Sequence, residues 1–399
     1  MGHATANSLT RACNSQISTL TVHADDYLSV TSEISPPIAV TSTYRIPEKL
    51  GVNNFGAETH IYTRESAPVR SRVEAVLGAI HDNGHAVTYA SGLAATFAFL
   101  LYFKPKRIAL GVGYHGTRAA IDLYQKRVAP VTLIKIDDPY HEDDLIFIEN
   151  PVNPTGEVVH LYHYGRRAHA AGATLLVDAT AAPPPLQQPF RAGAHFILHS
   201  SAKYLSGHSD VMGGVLVSRC CEAAGTLRSQ RTLLGSFQGS LESWLLLRSL
   251  RTLDIRVRQQ SRVAAQLASW LQCAAEGRGY EGIPVNAIAK VQHASLQILP
   301  KGYDVCASFP HGFGAVFTVQ FTTEAIAKQV PNLFRLTANA TSFGGVHSTV
   351  EWRYPIDQST CPRSIRVSVG LEAFDDLKCD WVYALTYALH GEAAAKAKL

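Results

Sequence analysis

The run His199-Ser200-Ser201-Ala202-Lys203-Tyr204-Leu205-Ser206-Gly207 sets a lysine among hydroxyls, between the apolar segment Ala194–Leu198 and the glycine-rich Val211–Val217. A lysine between buried strands is costly unless it is paired or neutralised. The chemistry that uses such a residue is that of a nucleophilic amine, for example a Schiff base with an aldehyde cofactor. A surface lysine in a strand-connecting loop has the same local signature. Four other segments put chemically useful residues where apolar runs end. Ala90-Ser91-Gly92-Leu93-Ala94 opens into a helical pattern; its free N–H groups suit a phosphate, and its serine equally suits an N-cap. Asp178 closes Leu175-Leu176-Val177 ahead of Ala179-Thr180, where a carboxylate can keep a pyridinium nitrogen protonated or simply cap a turn. Asn153 lies in Glu149-Asn150-Pro151-Val152-Asn153-Pro154; rigid turns account for the prolines but not for an asparagine at the same edge. Tyr114, in Tyr114-His115-Gly116-Thr117, suits stacking on a flat ring or half-buried packing.

These residues need a scaffold that brings strand ends together. Helical periodicity is expected over Val69–His81, Leu93–Phe103 and His160–Ala171, alternating with strands at 86–89, 107–112, 131–136, 145–148 and 174–177, and two more strands around the lysine. Such alternation predicts an α/β fold with a mainly parallel sheet covered by helices, whose ligands bind beyond the carboxyl ends of the strands. A long helical stretch, Leu241–Ala274, leads to a smaller C-terminal α/β region with strands at 315–321 and 365–369 and a final helix Trp381–Leu389. Residues 1 to about 55 lack periodicity and read as an extended arm. The expected organisation is an arm over 1–55, a large domain over 56–250 and a small domain over 251–399.

Composition excludes other classes. The 399 residues are 46% hydrophobic and 17% charged with a net charge of +4, and no basic block suggests nucleic acid or a membrane surface. The seven cysteines are odd in number and form no CxxC pair, arguing against a disulfide framework or a zinc site. No apolar run is long enough for a membrane span. The cytoplasm is therefore expected, and the terminal Ala397-Lys398-Leu399 resembles a peroxisomal tripeptide.

Taken together, the motifs resemble the Cys/Met-metabolism family of pyridoxal-phosphate enzymes, with the aspartate-aminotransferase fold (fold type I), from about Pro36 to Asp380. The resemblance implies that Lys203 carries the Schiff base, Asp178 faces the pyridine nitrogen with Thr180 beside it, Tyr114 stacks on the ring and Asn153 approaches the ring hydroxyl. Ser91, Gly92, Leu93 and Ser200 would bind the phosphate. Tyr62 and Arg64, in Ile61-Tyr62-Thr63-Arg64, would reach the phosphate of a neighbouring subunit, so that sites are shared in a homodimer or homotetramer. Ser342 belongs to a substrate-side loop and Arg366 to the carboxylate clamp, a task that suits a bidentate guanidinium.

The chain departs from the family pattern in several places. Ala202 precedes the lysine where threonine is common, Ala179 and Ala67 stand in place of asparagines, and His347 in place of a glutamate. Gly116 occupies the position of a reactive cysteine in methionine γ-lyases, and Phe343 that of a tryptophan in the β-lyase branch. The resemblance therefore implies an amino-acid substrate and γ-replacement on an O-acyl-L-homoserine through a vinylglycine-type intermediate. It leaves room for a carbon nucleophile. The alternative is a C–S lyase acting by γ-elimination. In either case Lys203, Tyr114 and Asp178 would carry the chemistry.

Overall fold

A computed structural model describes residues 15–29, 31–46, 59–298 and 303–398. Its helices are α1 (Ile17–His23), α2 (Pro68–Ile80), α3 (Gly92–Phe103), α4 (His115–Arg127), α5 (Leu161–Ala171), α6 (Cys221–Leu234), α7 (Ser240–Leu250) and α8 (Leu253–Cys273), followed by α9 (Val305–Ser308), α10 (Glu324–Gln329), α11 (Phe374–His390) and α12 (Glu392–Lys396). Strands β1 (His85–Tyr89), β2 (Arg107–Leu110), β3 (Thr132–Lys135), β4 (Leu145–Glu149), β5 (Thr174–Asp178), β6 (Phe196–Ser200) and β7 (Gly214–Ser218) form a seven-stranded sheet in the order β1-β7-β6-β5-β4-β2-β3. Strands β2 to β6 pair in parallel, whereas β7 runs antiparallel to both β6 and β1. A second sheet follows the order β10-β11-β12-β9-β8, from β8 (Ile288–Gln292), β9 (Val316–Phe321), β10 (Ala338–Asn339), β11 (Thr349–Glu351) and β12 (Ser364–Ser368).

The central strands are apolar on both faces because helices cover both. Leu145, Phe147 and Leu176 pack with Phe99 of α3 and Tyr124 of α4 on one side. Ile146, Ile148, Leu175 and Val177 pack on the other side with Val73 of α2, Leu161 of α5 and Leu246 of α7. Burial on both faces replaces the usual polar alternation by the continuous Leu/Ile/Val runs seen in the sequence.

Three expectations are corrected. The arm holds helix α1, anchored by Asp25, which is fully buried and takes Arg72 Nε at 2.6 Å and Arg251 Nη1 at 2.7 Å. The stretch from Leu241 is two helices rather than one, because Arg251 turns toward Asp25 and Thr252 adopts a non-helical conformation (φ −113°, ψ 10°). The helix expected from Trp381 is α11, which starts seven residues earlier at Phe374, with Asp375 and Asp376 in its first turn complementing the helix dipole, and the short α12 follows it. Residues 1–14, 47–58 and Leu399 of the C-terminal tripeptide lie outside the described residues; Lys398 donates to the Gly282 carbonyl at 2.7 Å. Among the described residues no helix is long and apolar enough to cross a membrane.

Candidate active site

Parallel register brings Glu149, the last residue of β4, opposite Asp178, the last residue of β5, while β6 ends alongside at Ser200. Asp178 Oδ1 accepts the Thr180 N–H at 3.0 Å and its hydroxyl at 2.5 Å, and Thr180 Oγ1 in turn accepts the Ser200 N–H at 2.8 Å. One threonine thus ties the acid to the loop that leads to Lys203. Burial raises both carboxyls above the ordinary range, and the Asp178 charge raises Glu149 further. Two adjacent buried carboxylates cannot both ionise cheaply, so the pair retains a proton unless a cation is placed against it.

Glu149 also clamps two neighbouring loops. Its Oε2 accepts the Tyr114 N–H at 2.6 Å and its Oε1 the Asn153 N–H at 2.7 Å. Tyr114 precedes α4, and its ring folds over Gly116, where a Cβ would lie 2.3 Å from the ring's Cε1. The absent side chain at 116 is what leaves room for this ring position.

The turn before α3 serves as a helix cap and an open N-terminus at once. Ser91 Oγ accepts the Ala94 N–H at 3.0 Å, while the first helical N–H groups, at Gly92 and Leu93, have no intrahelical acceptor. A Cβ on Gly92 would lie 3.0 Å from Ser200 Cβ, so the glycine lets this turn rest closely on Ser200. Ser201 is fully buried and packs instead against Gly213, beside Gln238. Its Oγ has no hydrogen-bond partner among the described residues.

Lys203 is held from the second sheet. Its Nζ donates to Ser342 Oγ at 2.5 Å and stands 5.3 Å from the Phe343 ring centre. Burial, then the Arg366 charge, lower its pKa to about 8, against a pull from Glu351 in the other direction. Ser342 has φ +79°, a left-handed conformation that costs a non-glycine residue energy and marks a constrained loop. Its carbonyl accepts Arg366 Nη2 at 2.5 Å, and Arg366 Nη1 donates to Asn153 Oδ1 at 3.1 Å. Arg366 Nη2 and Arg353 Nη1 both donate to Glu351 Oε2.

The structure therefore gathers Lys203, Ser342, Arg366, Asn153, Asp178, Thr180, Ser200, the Ser91–Leu93 turn and Tyr114 around one set of strand ends. It does not bring Tyr62 or Arg64 to that place within the chain. Tyr62 is 44% exposed and forms an isolated bridge with Thr43, Arg64 lies over its ring at 5.3 Å, and Thr63 between them bonds Ser42 and Thr41. Sequence reasoning missed Glu149, Glu351 and Arg353. Glu149 carried a signal, since it closes a strand one step before Asn-Pro; Glu351 and Arg353 sit in a stretch with no motif.

The residues fit a flat, phosphorylated pyridine aldehyde. They offer an amine of lowered basicity, a buried carboxylate with Oδ2 left for a ring nitrogen, and a helix N-terminus with a serine beside it for a phosphate. The comparisons agree. The family model for Cys/Met metabolism PLP-dependent enzymes matches residues 18–386. A cystathionine beta-lyase of Lactococcus lactis is 31% identical over 89% of this chain and 94% of its own length. A cystathionine gamma-lyase of Dictyostelium discoideum is 29% identical over 94% of this chain and 99% of its own. Among solved structures, the methionine gamma lyase CalE6 of Micromonospora echinospora superposes with a TM-score of 0.82 at 30% identity, covering 93% of this chain and 99% of that one. With its fold, its cofactor-shaped site and its sequence all in agreement, the chain belongs to the Cys/Met metabolism PLP-dependent enzyme family.

Proposed function

We propose that the protein catalyses γ-replacement on an O-acyl-L-homoserine, with room for a carbon nucleophile as well as a thiol. Pyridoxal phosphate, when bound, supplies an aldehyde for amine condensation and a π-system that accepts electron density from the substrate's Cα. Lys203 would hold the cofactor and, once free of it, would act as the base at Cα and Cβ, a task suited to an amine whose pKa is lowered to about 8. Asp178 keeps the ring nitrogen protonated, Asn153 orients the ring hydroxyl, and Ser91, Gly92, Leu93 and Ser200 hold the phosphate. Arg366 orients the substrate carboxylate, with Ser342 fixing its direction. Tyr114 moves the proton at the γ-substituent. Tyr62 and Arg64 complete the site of a neighbouring subunit in a homodimer or homotetramer.

The observation that carries this reading is the place of Phe343. Its ring is 9% exposed and lies against both Lys203 Nζ (5.3 Å) and the Arg366 guanidinium (5.4 Å). An apolar wall beside the base keeps water from the carbon chain between α-carboxylate and γ-position, which favours a bound nucleophile over hydrolysis. The relatives' names favour a second reading, a C–S lyase acting by γ-elimination.

Incubation of purified holoenzyme with O-acetyl-L-homoserine, with and without cysteine or small carbon acids, and mass spectrometry of the products tests both. A coupled amino acid supports replacement. Formation of 2-oxobutanoate from cystathionine alone, with no coupled product, supports elimination.

A further inference from the structure

Arg353 has no part in the chemistry outlined above, yet it stands among the site residues. It follows β11 by two positions, is 6% exposed, and its Nε is buried without a hydrogen-bond partner among the described residues. Its Nη1 donates to Glu351 Oε2 at 3.1 Å and its Nη2 lies 3.4 Å from His115 Nδ1. Its charge acts on Lys203, Glu149, Asp357 and Arg366.

Glu351 offers the same oxygen to both arginines, while its Oε1 has no partner among the described residues. Two guanidinium groups thus share one carboxylate oxygen in a buried place, an arrangement that favours further anions. The two flank Glu351 on different sides. Arg366 faces Asn153 and Ser342. Arg353 faces His115, the residue after Tyr114 and the first of α4. Asp357, the other acid on that side, accepts the Ser359 N–H at 3.1 Å and hydroxyl at 2.6 Å at Oδ1, and its Oδ2 lies 3.9 Å from His115 Nδ1. The His115 ring, against which Arg353 lies, stands 4.6 Å from that of Tyr114, so Arg353 is beside the group proposed above to act at the γ-substituent.

We infer that Arg353 recognises a second carboxylate, carried by the substrate's γ-substituent or by the group that replaces it. This rests on the γ-chemistry proposed above. Charge-assisted, bidentate recognition by arginine supplies selectivity that lysine or glutamine reproduces only in part or not at all.

The test uses two unreactive ligands of equal chain length, L-2-aminosuberate, which ends in a carboxylate, and L-2-aminooctanoate, which ends in a methyl group. Their affinities for the holoenzyme are measured by calorimetry for wild type, Arg353→Gln and Arg353→Lys. The expected result is a loss of about tenfold or more for aminosuberate in the glutamine variant, a smaller loss in the lysine variant, and no comparable change for aminooctanoate. Equal losses for both ligands would assign Arg353 to the α-carboxylate and overturn the inference, as would no loss for either. The carrier is then identified by kcat/KM in two arms: O-succinyl- against O-acetyl-L-homoserine with cysteine fixed, and cysteine against cysteamine with the acetyl ester fixed. If the carboxylate preference in binding holds but no γ-product forms, the proposed reaction fails and the inference about Arg353 stands.

Discussion

Lys203 and Ser342, 139 positions apart, meet through a hydrogen bond of 2.5 Å that crosses from the loop after β6 to the loop before β11. Ser342 also gives its carbonyl to Arg366, so a single residue in a left-handed conformation ties the amine to that guanidinium. In the proposed reaction this coupling would hold the base at Cα and the anchor for the α-carboxylate as one unit.

The lowered basicity of Lys203 has a direct kinetic consequence. Only the neutral amine condenses with an aldehyde, so the rate at which apoenzyme captures pyridoxal phosphate should rise with pH and level off above about 8. A plateau delayed to the ordinary lysine range near 10.5 would contradict the burial argument. Stopped-flow absorbance at the cofactor band reads this directly.

Replacing Asp178 by asparagine removes the charge opposite the ring nitrogen but keeps an acceptor for the Thr180 hydroxyl, now 2.5 Å from Oδ1. A charge-assisted hydrogen bond contributes about 1.5–3 kcal/mol, so kcat should drop roughly 10- to 100-fold. Cofactor retention on gel filtration should fall in parallel, and circular dichroism should remain native.

Gly116→Cys tests the position of the Tyr114 ring. A Cβ there would lie 2.3 Å from Tyr114 Cε1, so the ring must swing off α4. Misplacing a proton-transfer group by about 1 Å costs as much as roughly 100-fold in rate. The loss is expected in kcat, with KM for the amino-acid substrate little changed, as steady-state kinetics will show.

Asp25→Ala should destabilise the protein without touching the site. It leaves Arg72 and Arg251, which now bond the buried carboxylate at 2.6 and 2.7 Å, without their shared partner. Removing one partner of a buried ion pair costs about 3–5 kcal/mol. Chemical denaturation should shift to lower midpoint while kcat of the folded fraction holds.

The buried pair His81–His199, with Nε2 atoms 2.9 Å apart, links α2 to the strand that ends at Ser200. Burial lowers His81 to about 4 and His199 well below its ordinary value. Between pH 4 and 6.5 the unfolded chain therefore binds more protons than the folded one, so stability falls as pH drops through that window. Thermal melts from pH 7 to pH 4.5 should show a decline that His81→Gln makes shallower.

Much of this was legible in local sequence. The parallel sheet was visible because strands covered on both faces lose polar alternation and become continuous apolar runs, as in Leu145–Ile148. Lys203, Asp178, Asn153, Tyr114 and the Ser91-Gly92 turn were visible because each sits where such a run stops. Helix α1 was missed because its stability comes from Asp25 and two arginines far along the chain, not from its own periodicity. The break at Arg251 was missed for the same reason.

The sequence alone determined the class of fold and the family, since hydrophobic period and motif order are local properties. Only the tertiary structure decided what surrounds the amine. Glu149 became a clamp through its register with Asp178 and its bonds to Tyr114 and Asn153. Glu351 entered the site through its pairing with Arg366 in a second sheet, and Arg353 through its bond to Glu351, both more than a hundred residues downstream of Lys203. Charge acts through space at a few ångströms, and no spacing along the chain records that distance.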